Sequence, residues 1–306
     1  MSFMRIAVLG GTGFVGRRLC EYLAAAGHEV RVLTRHRERH RDLLVLPTAQ
    51  VIEADVHNPA VLRREFQGLD AVVNLVGILN EAGRDGKGFE RAHVELPAKV
   101  VLACRQSGVG RLLHMSALHA SPDGPSHYLR SKGRGEQIVH AAGSDTLQVT
   151  SFRPSVIFGP RDSFTNRFAG LLRQVPFVFP LACASARMQP VHVDDVAQAF
   201  VLALDRHATF GKRYNLCGPQ VYSLREIVTY LARQLGLKRY IMPLNDTLSY
   251  LQATVLQFAP GKPFTPDNYR SLQVASVCEA SFPAIFGITP GRFDEIVPTY
   301  ISRVNS

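Results

Sequence analysis

RIAVLGGTGFVG, residues 5–16, runs from an apolar, strand-like pattern straight into three glycines spaced GxxGxxG. The pattern after it, RRLCEYLAAAGH (residues 17–28), reads as a helix. Strand, glycine turn and helix in that order form a phosphate-binding unit. Glycine lets the backbone turn tightly and approach a pyrophosphate, whose charge then rests on the helix N-terminus. A glycine triplet alone is a weak signal, and its strand–loop–helix context makes it a strong one. Gly10, Gly13 and Gly16, with Thr12, Phe14 and Val15 between them, are the expected contacts of a dinucleotide.

Outward from this unit the pattern repeats. EVRVLT (29–34), VIEADV (51–56), DAVVNLVG (70–77), RLLHMS (111–116) and LQVTSFRP (147–154) are apolar runs separated by helical segments, the first of them over ERHRDLLV (38–45). Buried β-branched runs punctuated by helices predict an α/β fold, a Rossmann-type doubly wound parallel sheet. After residue 160 Pro and Gly become denser, strands such as MQPVHV (188–193) and KRYNLCG (212–218) shorten, and helices dominate. The expected division is an NADP-binding domain over 1–160. A smaller mixed C-terminal portion over 161–306 is interleaved with it and covers the carboxyl edge of the sheet, where such folds bind ligands.

The second strand chooses the dinucleotide. NAD sites place an acid about 20 residues beyond the glycines to bind the ribose 2′-hydroxyl. Here Thr34 and Arg35 stand at that position, followed by Arg37, Arg39 and Arg41. A carboxylate would repel a 2′-phosphate, whereas a guanidinium pairs with it in a charge-assisted fork. The expected cofactor is NADP(H), with Arg35 first and Arg17 and Arg39 as helpers. Asp55, beside Val56, either accepts from the adenine amine or caps the helix beginning near Pro59. Asn74, Leu75, Val76 and Gly77 end the fourth strand where the cofactor would cross the sheet.

Tyr128 and Lys132, four residues apart, project from one face of a helix. A nearby ammonium favours a phenolate and lowers a tyrosine from its ordinary value of about 10. Tyr128 is the expected acid/base, Lys132 its tuner and ribose contact, and Ser116 the group that positions a substrate oxygen, with Met115 beside it.

The 306 residues carry a net charge of +10, and only six of the 35 basic residues are lysines. Such a surface attracts phosphates and anionic lipid headgroups. No RNA-binding signature or aromatic-interleaved basic stripe is present, so nucleic acid is not an expected partner. The five cysteines form no CxxC pair, which predicts free core thiols in a reducing compartment. The first strand pattern starts at residue 5, leaving no room for a signal or transit peptide, and no apolar run reaches about 18 residues. The expected location is cytoplasmic, of bacterial type, with peripheral contact at the inner membrane left open. LNDTLSYLQATVLQFAPG (244–261) has an apolar face that meets either the C-terminal core or a membrane or partner. No metal site is expected. His192, Asp194 and Asp195 read as a helix start, and arginines around His36 and His40 oppose a cation. His93, His114 and His119 are expected near the ligand edge of the sheet.

Gly10-Gly13-Gly16, Tyr128-Lys132 and RPSVIFGP (153–160) together resemble the short-chain dehydrogenase/reductase superfamily, in its atypical extended, epimerase/dehydratase-like branch. VVNLVGIL (72–79), MSALHASPDGPSHYLRSK (115–132), RPSVIFGPRDSFTNRF (153–168), MQPVHVDDVA (188–197) and TPDNYRSLQ (265–273) resemble one subfamily within it. That subfamily holds the dehydrogenase-like accessory subunit of mitochondrial respiratory complex I, its bacterial relatives, and relatives linked to coenzyme Q biosynthesis. The resemblance spans essentially the full chain. It implies tight NADPH binding, structural rather than turned over in the complex I subunit. It also implies that Pro154, Ser155, Val156 and Phe158 line the nicotinamide end, and that Val76 and Gly77 pass the phosphates and ribose. One departure stands out: many active extended members have a second Ser or Thr after the first, and here Ala117 follows Ser116.

Two main functions follow. One is an NADP(H)-dependent oxidoreductase acting on an unidentified carbonyl, alcohol or quinone-related substrate. The other is a non-catalytic NADPH-binding accessory or assembly protein with respiratory or quinone-biosynthesis partners. A redox-state sensor is a weaker third.

Overall fold

The structure is a computed structural model that describes residues 2–301. Its first half alternates β1 (Arg5–Leu9), α1 (Phe14–Ala25), β2 (Glu29–Thr34), β3 (Ala49–Glu53), α2 (Pro59–Glu65) and β4 (Ala71–Asn74). Then come α3 (Lys87–Glu90), α4 (Leu96–Ser107), β5 (Arg111–Met115), α5 (His127–Ala141), β6 (Gln148–Pro154) and β7 (Ile157–Phe158). The second half holds α6 (Thr165–Gln174), β8 (Val178–Leu181), β9 (Arg187–Met188), β10 (Val191–His192), α7 (Val193–Ala203) and β11 (Arg213–Leu216). It closes with β12 (Tyr222–Ser223), α8 (Leu224–Gln234), β13 (Tyr240–Pro243), α9 (Asp246–Leu256), α10 (Pro266–Leu272) and α11 (Phe293–Ile296).

Seven parallel strands form the main sheet in the order β11-β6-β5-β4-β1-β2-β3. Because successive side chains point to opposite faces, each strand feeds two cores. Ile6 and Val8 pack with Leu19 and Leu23 of α1 and with Val196 and Phe200 of α7. Ala7 and Leu9 pack with Leu62 of α2, Val100 of α4 and Val139 of α5. Fully burying such aliphatic side chains contributes about 1.5–3 kcal/mol each, so the two layers dominate the stability of this half. A third core joins α6, α8 and the β8/β13 ribbon around Phe158, Ile227, Leu231 and Phe293.

The chain returns twice to the first layer after residue 160. KRYNLCG, expected in the C-terminal portion, supplies β11 and pairs with β6 at the edge of the main sheet. The helix α7 lies beside α1 on one face. The helix expected over 38–45 is absent; two short 3-10 turns, Arg37–Arg39 and Arg41–Leu43, replace it. Of those turns only Leu43 is buried, so clustered positive charge meets almost no apolar burial that would hold a helix together.

Cys217, just after β11, is disulfide-bonded to Cys278, which corrects the expectation of five free thiols. Sixty-one residues separate the two, so spacing gave no sign of their meeting. The segment before Cys278 returns to the sheet edge, where the hydroxyl of Ser155 donates to the Ser276 carbonyl at 2.8 Å and Gln189 accepts from the Cys278 amide at 3.0 Å. Reducing this bond, or Cys278→Ser, is expected to lower the unfolding free energy by about 2–4 kcal/mol. Urea melts with and without reductant measure it, and superimposable curves would exclude the bond in solution.

Candidate functional site

The glycine loop ends β1 beneath α1. Gly10 has φ +78°, and a Cβ there would lie 3.1 Å from the Leu75 carbonyl carbon and the Val76 nitrogen, so loop and β4 edge touch backbone to backbone. A Cβ on Gly16 would overlap the Gly10 carbonyl, and that absence lets α1 start directly over the turn. The α1 N-terminus has no side-chain cap and no acid in its first turn. Gly13 stands exposed there. Uncapped amides at the positive end of a 12-residue helix, over a loop narrowed to backbone, fit a pyrophosphate.

At the end of β2, Thr34 is buried, while Arg35 and Arg39 are exposed. Arg17 reaches the same end from α1: its Nε donates to the Thr12 carbonyl at 3.0 Å, Nη2 meets His40 at 2.9 Å, and it pairs with Asp42. A carboxylate thus already occupies Arg17, while no side chain among the described residues pairs with the guanidinium of Arg35 or Arg39. Asp55 is not the helix cap. Asn58 caps α2 by accepting from Ala60, while Asp55 accepts from the His57 amide at 2.9 Å in a local turn. Val56 packs against the second core.

Beyond β4, the Asn74 side chain accepts from the Val76 amide at 3.2 Å and shapes the turn into Gly77. Ile78 donates to His93 Nε2 at 3.0 Å, so the His93 proton sits on Nδ1, which meets Ser131 at 2.9 Å. Ser131 in turn donates to the Tyr128 carbonyl. Burial, then Lys132, pushes His93 down to about 2, and it remains a neutral clamp between the Gly77 loop and α5. His93 lies in a π-helical turn, Arg91–Glu95, and its carbonyl comes so close to Gly135 that no Cβ fits there. This explains a glycine inside α5, where it costs helix stability.

Lys132 is buried, and its ammonium donates to the Met115 carbonyl at 3.0 Å. A Cβ on Gly77 would lie 3.0 Å from Lys132 Nζ, so Lys132, Met115, Gly77, Val76 and Gly10 form one continuous path along the sheet edge. Burial lowers Lys132 to about 8, with Glu136 opposing the shift.

The Tyr128 ring packs edge-on against His93 at 5.6 Å and Phe89 at 6.2 Å. Burial pushes its hydroxyl up to about 12, opposite to the expected lowering by Lys132, whose ammonium is engaged with a backbone carbonyl instead. The N-terminus of α5 is capped from afar: Asp267 of α10 accepts from the His127 and Tyr128 amides at 2.7 and 3.1 Å, beside the local cap Ser126.

Ser116 departs furthest from its expected role. Its hydroxyl donates to Glu136 at 2.5 Å, and Glu136 also receives Arg153 and Arg213, each at 2.7 Å. A hydroxyl has one proton, and this one is spent on a buried carboxylate rather than offered to a substrate oxygen. The sheet edge brings Pro154 and Ser155 close to Leu216 and Ser276. The Phe158 side chain, expected at the nicotinamide end, is fully buried against Phe293 at 4.9 Å and belongs to the third core, against which the partly buried Val156 packs. His119 is exposed and meets the Val277 carbonyl at 3.0 Å. Asp194 pairs with Arg18, and Asp195 accepts from Gly291 at 2.9 Å, so both tie elements together rather than bonding α7 amides as caps.

The sequence profile of the NAD dependent epimerase/dehydratase family matches residues 6–217, from β1 through the end of β11. The chain belongs to that family. Two relatives illustrate its range. The chain is 31% identical over 272 residues to the mitochondrial NADH dehydrogenase [ubiquinone] 1 alpha subcomplex subunit 9 of Dictyostelium discoideum, covering 85% of this chain and 73% of that protein. It is 31% identical over 245 residues to a ceramide reductase of Caulobacter vibrioides, covering 79% of this chain and 74% of that one. In fold it is similar to the crystal structure of gox2253, with a TM-score of 0.76 at 23% identity over 97% of this chain and 96% of the other. Members of the family bind a nicotinamide dinucleotide.

Proposed function

We propose that this protein is an NADP(H)-dependent reductase of a carbonyl compound. The observation that carries this reading is the Tyr128 hydroxyl. It is protonated throughout the neutral range and has no hydrogen-bond partner among the described residues. Tyr128 lies about one helical turn before Lys132 in α5, and Lys132 meets the path through Gly77 to the glycine loop. Gly10 to Gly16 and the α1 amides would hold the pyrophosphate, Arg35 the 2′-phosphate, and Lys132 the nicotinamide ribose. The nicotinamide, when bound, supplies a hydride to the carbonyl carbon. Tyr128 supplies the proton to the oxygen and is reloaded from water. Burial keeps that hydroxyl protonated at neutral pH, the form a proton donor needs. The relative named as a ceramide reductase supports an amphiphilic substrate.

Arg35→Asp tests the cofactor assignment. NADPH should raise the melting temperature of the wild type well above NADH at equal concentration, since a ligand at about 100 times its Kd stabilises by about 2.7 kcal/mol. The variant should lose that difference. An unchanged preference would remove Arg35 from the 2′-phosphate site.

The second reading, an accessory protein that holds NADPH without turning it over and meets respiratory partners, draws on two observations. The Ser116 proton is spent on Glu136, and a relative is a respiratory complex I subunit. Cofactor that binds, stabilises and is never oxidised would favour it.

A further inference from the structure

The helix α9 is inside out. The face that meets the body carries Ser249, Gln252 and Ala253: Ser249 accepts from the Cys183 amide at 3.2 Å, Gln252 donates to the Pro180 carbonyl at 3.2 Å, and Ala253 is fully buried. The opposite face presents Leu248, Leu251, Val255 and, one turn on, Phe258, which are 47, 55, 60 and 66% exposed. Spacings of three, four and three residues make these a single stripe. A surface helix normally turns such a stripe inward, whereas this one stays largely exposed. The adjoining β8/β13 ribbon adds Phe177 and Tyr240, 79 and 62% exposed.

The stripe is rimmed by positive charge. At one end the Arg84 guanidinium stacks over the Phe258 ring at 4.2 Å, and Arg167 donates to the Gly261 carbonyl at 3.0 Å. Lys238 and Arg239 precede Tyr240 on the adjoining ribbon. Across 161–178 and 238–262 the carboxylates are Asp162, buried and hydrogen-bonded within its own turn, and Asp246. Large apolar side chains inside a basic rim match the interfacial layer of an anionic bilayer, in which both groups find their medium.

Beside α9 lies a cavity of about 200 Å³, lined by Glu81, Arg84, Lys262, Asp267 and Arg270 as well as Tyr250 and Phe89, too small and too charged for a lipid chain. We propose that the outward face of α9 seats on an anionic lipid surface. The docking stands on the stripe and the positive charge beside it alone.

Co-sedimentation with vesicles tests it, using phosphatidylcholine alone and phosphatidylcholine mixed with phosphatidylglycerol. The wild type should partition at least tenfold more onto the mixed vesicles, with the difference shrinking as salt rises. The triple variant Leu248→Gln, Leu251→Gln, Val255→Gln should lose about tenfold or more of that partition, because exposed glutamines keep helix propensity and remove the apolar anchor. Its melting temperature and NADPH-induced shift should match the wild type. Absence of vesicle binding, equal binding by the variant, or a dimer that the variant dissolves without any vesicle binding would each overturn the docking. Vesicle binding intact beside a protein that never oxidises NADPH would leave the docking standing and remove the reductase reading.

Discussion

Tyr128→Phe, which removes one oxygen atom, is expected to lower carbonyl-reduction turnover by about 10²–10⁴-fold, the usual contribution of a positioned acid. The substitution keeps the ring that packs against His93 and Phe89, so the fold should be undisturbed. It also leaves intact the Ser131 hydroxyl bond to the Tyr128 backbone carbonyl and the Asp267 cap on its amide. NADPH affinity should therefore be unchanged. That split between turnover and binding separates a chemical role from a structural one. A variant that turns over at the wild-type rate would mean that another group, or water, supplies the proton.

Glu136→Gln is expected to cost about 3 kcal/mol of stability, near the lower end of the range for breaking a buried ion pair. Glu136 is almost fully buried and receives two guanidiniums and the Ser116 hydroxyl, and an isosteric amide leaves both arginines without a counter-charge. Because Arg153 and Arg213 retain partial access to solvent, some of that cost relaxes. The same change removes the carboxylate that supports the charge on Lys132, so Lys132 should titrate below its value of about 8. The sign for folding is fixed by that lowering. Between about pH 8 and 10.5 the unfolded chain holds the Lys132 proton that the native protein has released, so this group makes stability rise with pH there, and in the variant the rise should begin earlier. Urea midpoints across pH measure both effects. A variant as stable as the wild type would mean that the cluster is solvated.

The sheet was legible because its information is local. β-branched runs and one glycine turn specify strands, a crossover and a phosphate cradle within a few dozen residues, and β1 to β6 fall where the pattern predicted. The features that escaped depend on contacts across long sequence separations. Asp267 caps a helix 139 residues earlier, β11 crosses back to the main sheet, and Cys278 reaches Cys217. Glu136 had a local signal, a carboxylate one turn beyond Lys132 in SKGRGE, yet its arginines arrive from β6 and β11. The Tyr128 shift runs opposite to the spacing for the same reason. Spacing puts an ammonium on the same face, whereas burial, which spacing does not report, decides the sign.

The most direct measurement loads the protein with NADPH deuterated at the transferring nicotinamide carbon, mixes it with long-chain ketones in detergent or vesicles, and examines the products by mass spectrometry. A reductase returns an alcohol carrying one deuterium per cofactor oxidised, and Tyr128→Phe returns almost none. Ketones recovered unchanged, with labelled NADPH still bound and intact, would contradict the reductase account.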